Sequence, residues 1–197
     1  QYTRQDWRNR NKIKTAQGVK WLTIPVEMKD RLFKKICDMK VANKNWNITH
    51  FDIIKQSYKP APYYKEMADW IEPLYKNCNY EFLTDINLHI IDAINDFLGI
   101  KTEIKSSSEF QLAEDKTERL VNICRELSAT DYFSGPAAKA YLDESKFLNE
   151  GINVHYIDYS GYPEYTQLHG DFEHGVSILD LIFNVGEKTK NHLLSLK

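Results

Sequence analysis

The residues of this chain best suited to chemistry begin with Arg8, Asn9 and Arg10, which directly follow Trp7. Two guanidinium groups, an amide and an aromatic ring form a set suited to phosphate or carboxylate, because arginine donates paired hydrogen bonds to planar anions. The alternative is a basic loop whose side chains are simply solvated. We interpret the three polar residues as a candidate substrate-binding segment.

Two turns rich in small residues are further candidates for the same anion. Ser106 and Ser107 follow a predicted strand, so their hydroxyl and amide groups are expected at the end of a sheet. Ser134 and Gly135 lie between a second predicted strand and a helix, whose N-terminus favours negative charge. Lys139, one turn into that helix, could add a charge. Capped turns and tight strand-to-helix packing are the alternatives.

Two aspartates are candidate catalytic acids or bases. Asp158 is predicted at the end of a third strand, and Asp180 lies in an otherwise apolar helix start. Because Asp180 comes three residues after Ser177, it could instead be a first-turn carboxylate that complements the helix dipole.

The sequence does not favour metal or covalent chemistry. His155, His169, Asp171 and His174 lack the helical spacing that places two imidazoles on one face, so no metal site is predicted. No serine or cysteine lies in a nucleophile-elbow pattern, and the sequence has no Walker or complete Gly-x-Gly-x-x-Gly motif. The cofactor is left unspecified.

Composition narrows the class of protein. The 197 residues carry a formal net charge of -2, which argues against nucleic acid as a partner, since such binding normally needs a basic stripe. Cys37, Cys78 and Cys124 have no framework spacing and should be reduced thiols. No apolar run approaches the roughly 18 residues of a membrane span, and no signal peptide is recognisable. We expect a cytoplasmic protein without a transmembrane segment; its oligomeric state is left open.

The hydrophobic pattern predicts strands and helices in alternation. Helices are expected over about 45–57, 63–77, 83–97, 115–127 and 137–148 and from 178 to 186, and strands over 21–26, 100–105, 131–133 and 152–159. Residues 160–176 form a long polar loop. Such alternation implies parallel pairing, and strands near 101–106, 131–134 and 152–158 should lie parallel in one sheet. We predict an α/β fold: a single domain with a small, mainly parallel sheet flanked by helices.

Seven segments, taken together and in order, resemble the WbqC-like protein family. They are Trp7–Ile13, Trp21–Val26, Tyr58–Tyr64, Thr117–Leu120, Tyr132–Gly135, Tyr141–Leu142 and Ser177–Asn184. The resemblance covers nearly the whole chain, as one WbqC-like domain over 1–197. This sequence departs from the family pattern at two places. Family members have an N-terminal segment that precedes the position of Gln1, and Tyr162 stands where the family pattern has a histidine.

The resemblance implies a role in bacterial O-antigen or other surface-polysaccharide biosynthesis. It implies a transferase that adds an aminoacyl or acyl group to a sugar or nucleotide-sugar; a non-catalytic sugar- or partner-binding protein of the same pathway is the alternative. On this interpretation the arginines and the two serine turns hold an anionic substrate, and Asp158, Tyr165, Gln167 and Asp180 face the acceptor. Arg8 and Arg10 should then lie within about 15 Å of Gly135, the reach of two side chains to one small ligand.

Overall fold

A computed structural model describes residues 7–27 and 34–194 of the chain. The contacts group the chain into a larger unit, residues 1–101 with 162–197, and a smaller unit, residues 102–161. The single-domain organisation stays a prediction. The strands and α-helices are, in chain order, β1 (Arg10–Thr15), β2 (Gly18–Thr23), α1 (Trp46–Tyr58), α2 (Tyr64–Lys76), α3 (Leu83–Leu98), α4 (Lys116–Glu126), β3 (Asp131–Ser134), α5 (Glu144–Asn149), β4 (Asn153–Tyr156) and α6 (Ile178–Val185).

The sheet of the larger unit is a hairpin of β1 and β2. The strands are antiparallel, and Thr15 pairs with Gly18 across a two-residue turn. Gly18 has a φ of +101°, a conformation that a residue with a Cβ rarely adopts. Ile13 of β1 is buried in one apolar cluster with residues of the helices, among them Phe51, Ile71, Ile86 and Ile182.

Helix α3 follows the apolar period of its sequence. Leu83 and Ile86 are buried in the core of the larger unit, and Ile90 packs against that core. The helix ends at Gly99, which has a left-handed φ of +68°, as glycine at a helix C-terminus commonly does. The predicted helix and its end are therefore confirmed.

The smaller unit has its own sheet and core. Strands β3 and β4 pair in parallel, with Asp131 opposite Asn153 and Ser134 opposite Tyr156. A separate apolar cluster contains Val121, Cys124, Phe147 and Ile152. Helix α4 starts where a helix was predicted to begin, and Asp115 caps it, since its carboxylate accepts a hydrogen bond from the Glu118 amide at 2.9 Å.

The α/β class is confirmed, with small sheets flanked by helices, but the strands are divided between two sheets, one antiparallel and one parallel. Parallel pairing of 131–134 with 153–156 is confirmed. The predicted strand over 100–105 is wrong, because this segment is irregular and residues 101–105 are exposed. The predicted helix over 137–148 is also wrong as one element: a 3₁₀ helix, Pro136–Ala140, precedes the shorter α5. In the described ranges no helix is long and apolar enough to cross a membrane.

All three cysteines are unpaired, as predicted from their spacing. Cys37 is exposed, whereas burial raises the pKa of the Cys78 and Cys124 thiols. Because the thiolate is the reactive form, we expect iodoacetamide to add one group to the folded protein and three to the unfolded protein, as counted by mass spectrometry. Cys37→Ser should leave the folded protein unlabelled; equally fast labelling of all three thiols would contradict the burial.

Candidate functional site

A pocket of about 290 Å³ lies in the larger unit. It is lined by the hairpin, α1, α3 and the start of α6. Because side chains alternate along a strand, Asn11 and Ile13 share one face of β1, and Leu22, paired with Asn11, joins them from β2. The interior of the pocket is mainly apolar, its other apolar residues being Ile24, Trp46, Tyr75, Ile90, Ile91, Ile94, Ile178 and Leu179.

Arginine is the charged residue type that this lining contributes. Arg8 and Arg10 both line the pocket, and its described lining residues include no aspartate or glutamate. The Arg8 guanidinium lies 4.6 Å from the ring centroid of Trp7, and that of Arg10 lies 4.1 Å from the ring centroid of Trp21. Arg10 also begins a strand instead of lying in a solvated loop. The positive lining of an apolar pocket suits an anionic ligand.

Asn9 gives this pocket an unpartnered polar group. Its side chain is only 4% exposed and lines the pocket. The amide nitrogen donates to the Ile24 carbonyl at 2.9 Å, whereas the Oδ1 acceptor has no hydrogen-bond partner in the described structure, and neither has the buried Nε of Arg10. Because an unmade buried hydrogen bond costs about 1–3 kcal/mol, a ligand that satisfies these atoms would gain affinity.

His50 of α1 also lines the pocket, a position that its sequence context did not indicate. Its Nε2 lies 3.0 Å from the Thr23 carbonyl oxygen, and its ring packs edge-on against Trp46. A carbonyl oxygen can only accept, so Nε2 carries the proton and Nδ1 is the acceptor of the neutral ring. Burial lowers the pKa of His50 below its ordinary value, which favours this neutral form.

A buried polar network brings together three of the predicted site residues. Asp180 is 0% exposed. Its carboxylate accepts hydrogen bonds from the hydroxyl groups of Tyr58 and Tyr165, each at 2.9 Å, and Gln167 donates to the Tyr165 oxygen at 3.1 Å. Burial raises the pKa of Asp180, although the two tyrosine bonds and the charge of Lys14 act to lower it.

Lys14 of β1 ties the long loop to this network. It is buried, and its ammonium donates to the Gln167 side-chain oxygen at 2.9 Å, to the Gly170 carbonyl at 3.3 Å and to the Asp171 carbonyl. The Lys14 amide also donates to the Tyr58 hydroxyl at 3.1 Å. A buried charge needs such a set of partners, so these contacts hold residues 167–171 of the long loop against the hairpin.

This network and the pocket are next to each other along α6. Ser177, Ile178 and Leu179 line the pocket, whereas Asp180, the following residue, does not. Tyr165 and Gln167 are likewise absent from the lining. The two oxygens of Asp180 already accept protein hydrogen bonds, so the arrangement can orient two tyrosine hydroxyls. The catalytic role of Asp180 stays a prediction.

The remaining predicted residues belong to the smaller unit. Ser134 ends β3, and Gly135 precedes the 3₁₀ helix, as the sequence indicated. The Lys139 ammonium lies 4.9 Å from the ring centroid of Tyr156. Asp158 is exposed and accepts hydrogen bonds from the amide and hydroxyl of Ser160, at 2.8 and 2.9 Å. These bonds lower its pKa, which weakens it as a base.

Ser106 and Ser107 do not follow a strand, which corrects their predicted position. Ser106 instead caps the 3₁₀ helix Ser107–Glu109. The Ser106 amide donates to the Glu109 carboxylate at 2.6 Å, and the Ser106 hydroxyl accepts from the Ser108 amide at 3.3 Å. Since that carboxylate occupies the amide, the capped turn accounts for these serines; a ligand role for them stays a prediction.

The proposed proximity of Arg8 and Arg10 to Gly135 relates residues of the two units and stays a prediction.

The histidines considered for metal binding have other contacts. His155 lies 2.7 Å from the Asp131 carboxylate, and His169 lies 3.1 Å from the Ser57 carbonyl. Within the described ranges, no group of three or more His, Cys, Asp or Glu residues is arranged to hold a metal ion.

The fold and this pocket define an α/β protein with an arginine-lined apolar site. The chain belongs to the WbqC-like protein family, whose model matches residues 1–192. It is similar to an uncharacterized protein of Mycobacterium tuberculosis, with 44% identity over 193 residues, which is 98% of this chain and 84% of the relative. No solved structure matches the chain.

Proposed function

We propose that this protein is a transferase of bacterial surface-polysaccharide biosynthesis that adds an aminoacyl or acyl group to a sugar or nucleotide-sugar. Membership of the WbqC-like family supports the pathway. The observation that carries the assignment of the site is the pocket of the larger unit, where Asn9 Oδ1 and Arg10 Nε lack partners beside an apolar interior.

The two parts of this pocket fit the two parts of such a substrate. The isoleucines of α3 and the hairpin give an apolar surface suited to an acyl group, and a volume of about 290 Å³ is near the lower end for small-molecule sites. The N-terminal end of α6 also lines the pocket, and its partial positive charge favours an anion such as phosphate or carboxylate. Arg10 adds a full positive charge.

In the proposed reaction, a sugar hydroxyl or amine attacks the carbonyl carbon of an activated acyl ester or thioester. The new carbon–oxygen or carbon–nitrogen bond forms as the bond to the leaving group breaks. The proton of the attacking group passes to a base and then to the leaving group. Asp158 and Asp180 were the bases proposed from the sequence; neither is among the described residues of the pocket lining, so their role as bases stays a prediction.

A non-catalytic binding protein of the same pathway is the second candidate. The observation that favours it is that neither aspartate is among the described residues of the pocket lining. The two functions differ in outcome, because a binding protein would hold the acyl-sugar without consuming an activated acyl donor.

We expect Arg10→Ala to weaken binding of a uridine diphosphate N-acyl-amino sugar by about 10- to 100-fold. The loss of a hydrogen bond to a charged group is worth roughly 1.5–3 kcal/mol, and 1.4 kcal/mol is tenfold. Isothermal titration calorimetry measures the change. Lys12→Ala is the matched control, because Lys12 also lies over Trp21, at 5.2 Å, but does not line the pocket. Equal affinity of the two variants, or no binding by the wild type, would count against this site.

A further inference from the structure

We propose that His50 is the proton-accepting residue of this pocket, taking the proton from the substrate hydroxyl or amine at its Nδ1 atom. The proposal rests on the proposed function and adds a catalytic residue to it. Its sequence context did not single out His50, and the observation that does so is its position on the pocket lining.

The backbone of β2 fixes which nitrogen of His50 can act. Nε2 lies 3.0 Å from the Thr23 carbonyl oxygen and must donate to it. Within the described residues Nδ1 has no hydrogen bond, so the neutral ring keeps its lone pair on the atom that no protein group occupies. A base needs such a lone pair within reach of the proton that it removes.

The surroundings of His50 keep it neutral. The charged and titratable groups that share the pocket lining are Arg8, Arg10 and Tyr75, and the lining includes no described carboxylate that would stabilise a protonated ring. Burial lowers the pKa of His50, against the opposing effect of the Thr23 bond. Burial and the lack of a carboxylate among the described lining residues both disfavour a resting imidazolium. The neutral base is therefore available at neutral pH.

The proton balance of the step is complete. The acceptor oxygen or nitrogen bonds to the acyl carbon as its proton moves to Nδ1, which gives a transient imidazolium. The bond from the acyl carbon to its leaving group then breaks, and the same proton passes to that group. His50 returns to the neutral form, and the activated acyl ester or thioester supplies the driving force.

His50→Gln tests the role, because an amide can still donate to the Thr23 carbonyl but has no basic nitrogen. The probe reaction is acyl transfer from a p-nitrophenyl acyl ester to an amino sugar, followed by release of p-nitrophenolate and by mass spectrometry of the acylated sugar. We expect a loss of kcat of about 100-fold or more, with KM little changed. The wild-type rate should fall as the pH drops through the lowered pKa of His50, and the variant should lose this acid limb.

His89→Gln is the matched control. His89 of α3 also makes one backbone contact, from Nε2 to the Leu74 carbonyl oxygen at 3.1 Å, but it does not line the pocket. An unchanged rate and acid limb in His50→Gln would overturn the inference while leaving the proposed function standing. No acyl transfer by the wild-type protein would instead refute the proposed function, and with it the role of His50.

Discussion

Tyr58→Phe should lower the free energy of unfolding by about 2–6 kcal/mol, although it removes a single oxygen atom. The Tyr58 hydroxyl donates to the buried Asp180 carboxylate at 2.9 Å and accepts from the Lys14 amide at 3.1 Å. Its loss leaves a buried carboxylate oxygen and a buried N–H group unpaired, and each such group costs about 1–3 kcal/mol. The stacking of the ring on Phe183, with centroids 5.0 Å apart, is retained.

Urea unfolding measures this effect, and Tyr75→Phe is its control. Tyr75 is another buried tyrosine, but its hydroxyl makes no hydrogen bond within the described structure. We expect the control to change the free energy of unfolding by less than about 1 kcal/mol. Equal effects of the two substitutions would show that the network around Asp180 contributes little to stability.

The network around Asp180 connects segments that are far apart in the sequence. Asp180 of α6 accepts from Tyr58 of α1 and from Tyr165 of the long loop, and Lys14 of the hairpin binds Gln167 of that loop. Such a buried set is stable only when every member has a partner. It therefore fixes the start of α6, which lines the pocket, relative to the hairpin, to which the Ser177 amide also donates a hydrogen bond at the Lys12 carbonyl, 2.7 Å away.

Local sequence patterns were sufficient to predict those elements whose stabilising contacts lie close in the sequence. The helix over 83–97 and the start of α4 near residue 115 were predicted because these features depend on residues within a few positions. The predicted strand over 100–105 failed for the opposite reason. Ile100 and Ile104 are its only apolar residues, and a short segment of this kind is stable as a strand only when a neighbouring strand pairs with it.

The site needed three-dimensional information. Arg8, Asn9 and Arg10 were predicted as binding residues from their chemistry. The buried position of Lys14 was not predicted, because a lysine is rarely buried and nothing near it in the sequence indicates hydrogen-bond acceptors more than 150 positions away. Strand β1 was missed because Ile13 is its only apolar residue, so its sequence lacks the alternation of a half-exposed strand, although Lys14 and Thr15 are buried beside Ile13. His50 was missed because its partner, the carbonyl of Thr23, is a backbone group that carries no sequence signal.

Phe147→Ala should lower the free energy of unfolding of the smaller unit by about 3–5 kcal/mol, the range for removing a fully buried phenylalanine ring. Phe147 is 0% exposed and belongs to the apolar cluster of that unit with Val121, Cys124 and Ile152. Its ring stacks on Tyr132 of β3, with centroids 5.0 Å apart. A small core has few other contacts to share the loss.

The substitution also tests what holds the turn at Ser134 and Gly135. Because Tyr132 lies two residues before Ser134 on β3, loss of the Phe147 ring should speed hydrogen exchange of the backbone amides in β3, β4 and α4. Leu148→Ala is the matched control on the same helix, since Leu148 is 72% exposed and its truncation should change stability by about 0.5 kcal/mol or less. Unchanged exchange in Phe147→Ala would mean that the parallel pair of strands keeps its order without this core, and that the turn is fixed by its own backbone geometry.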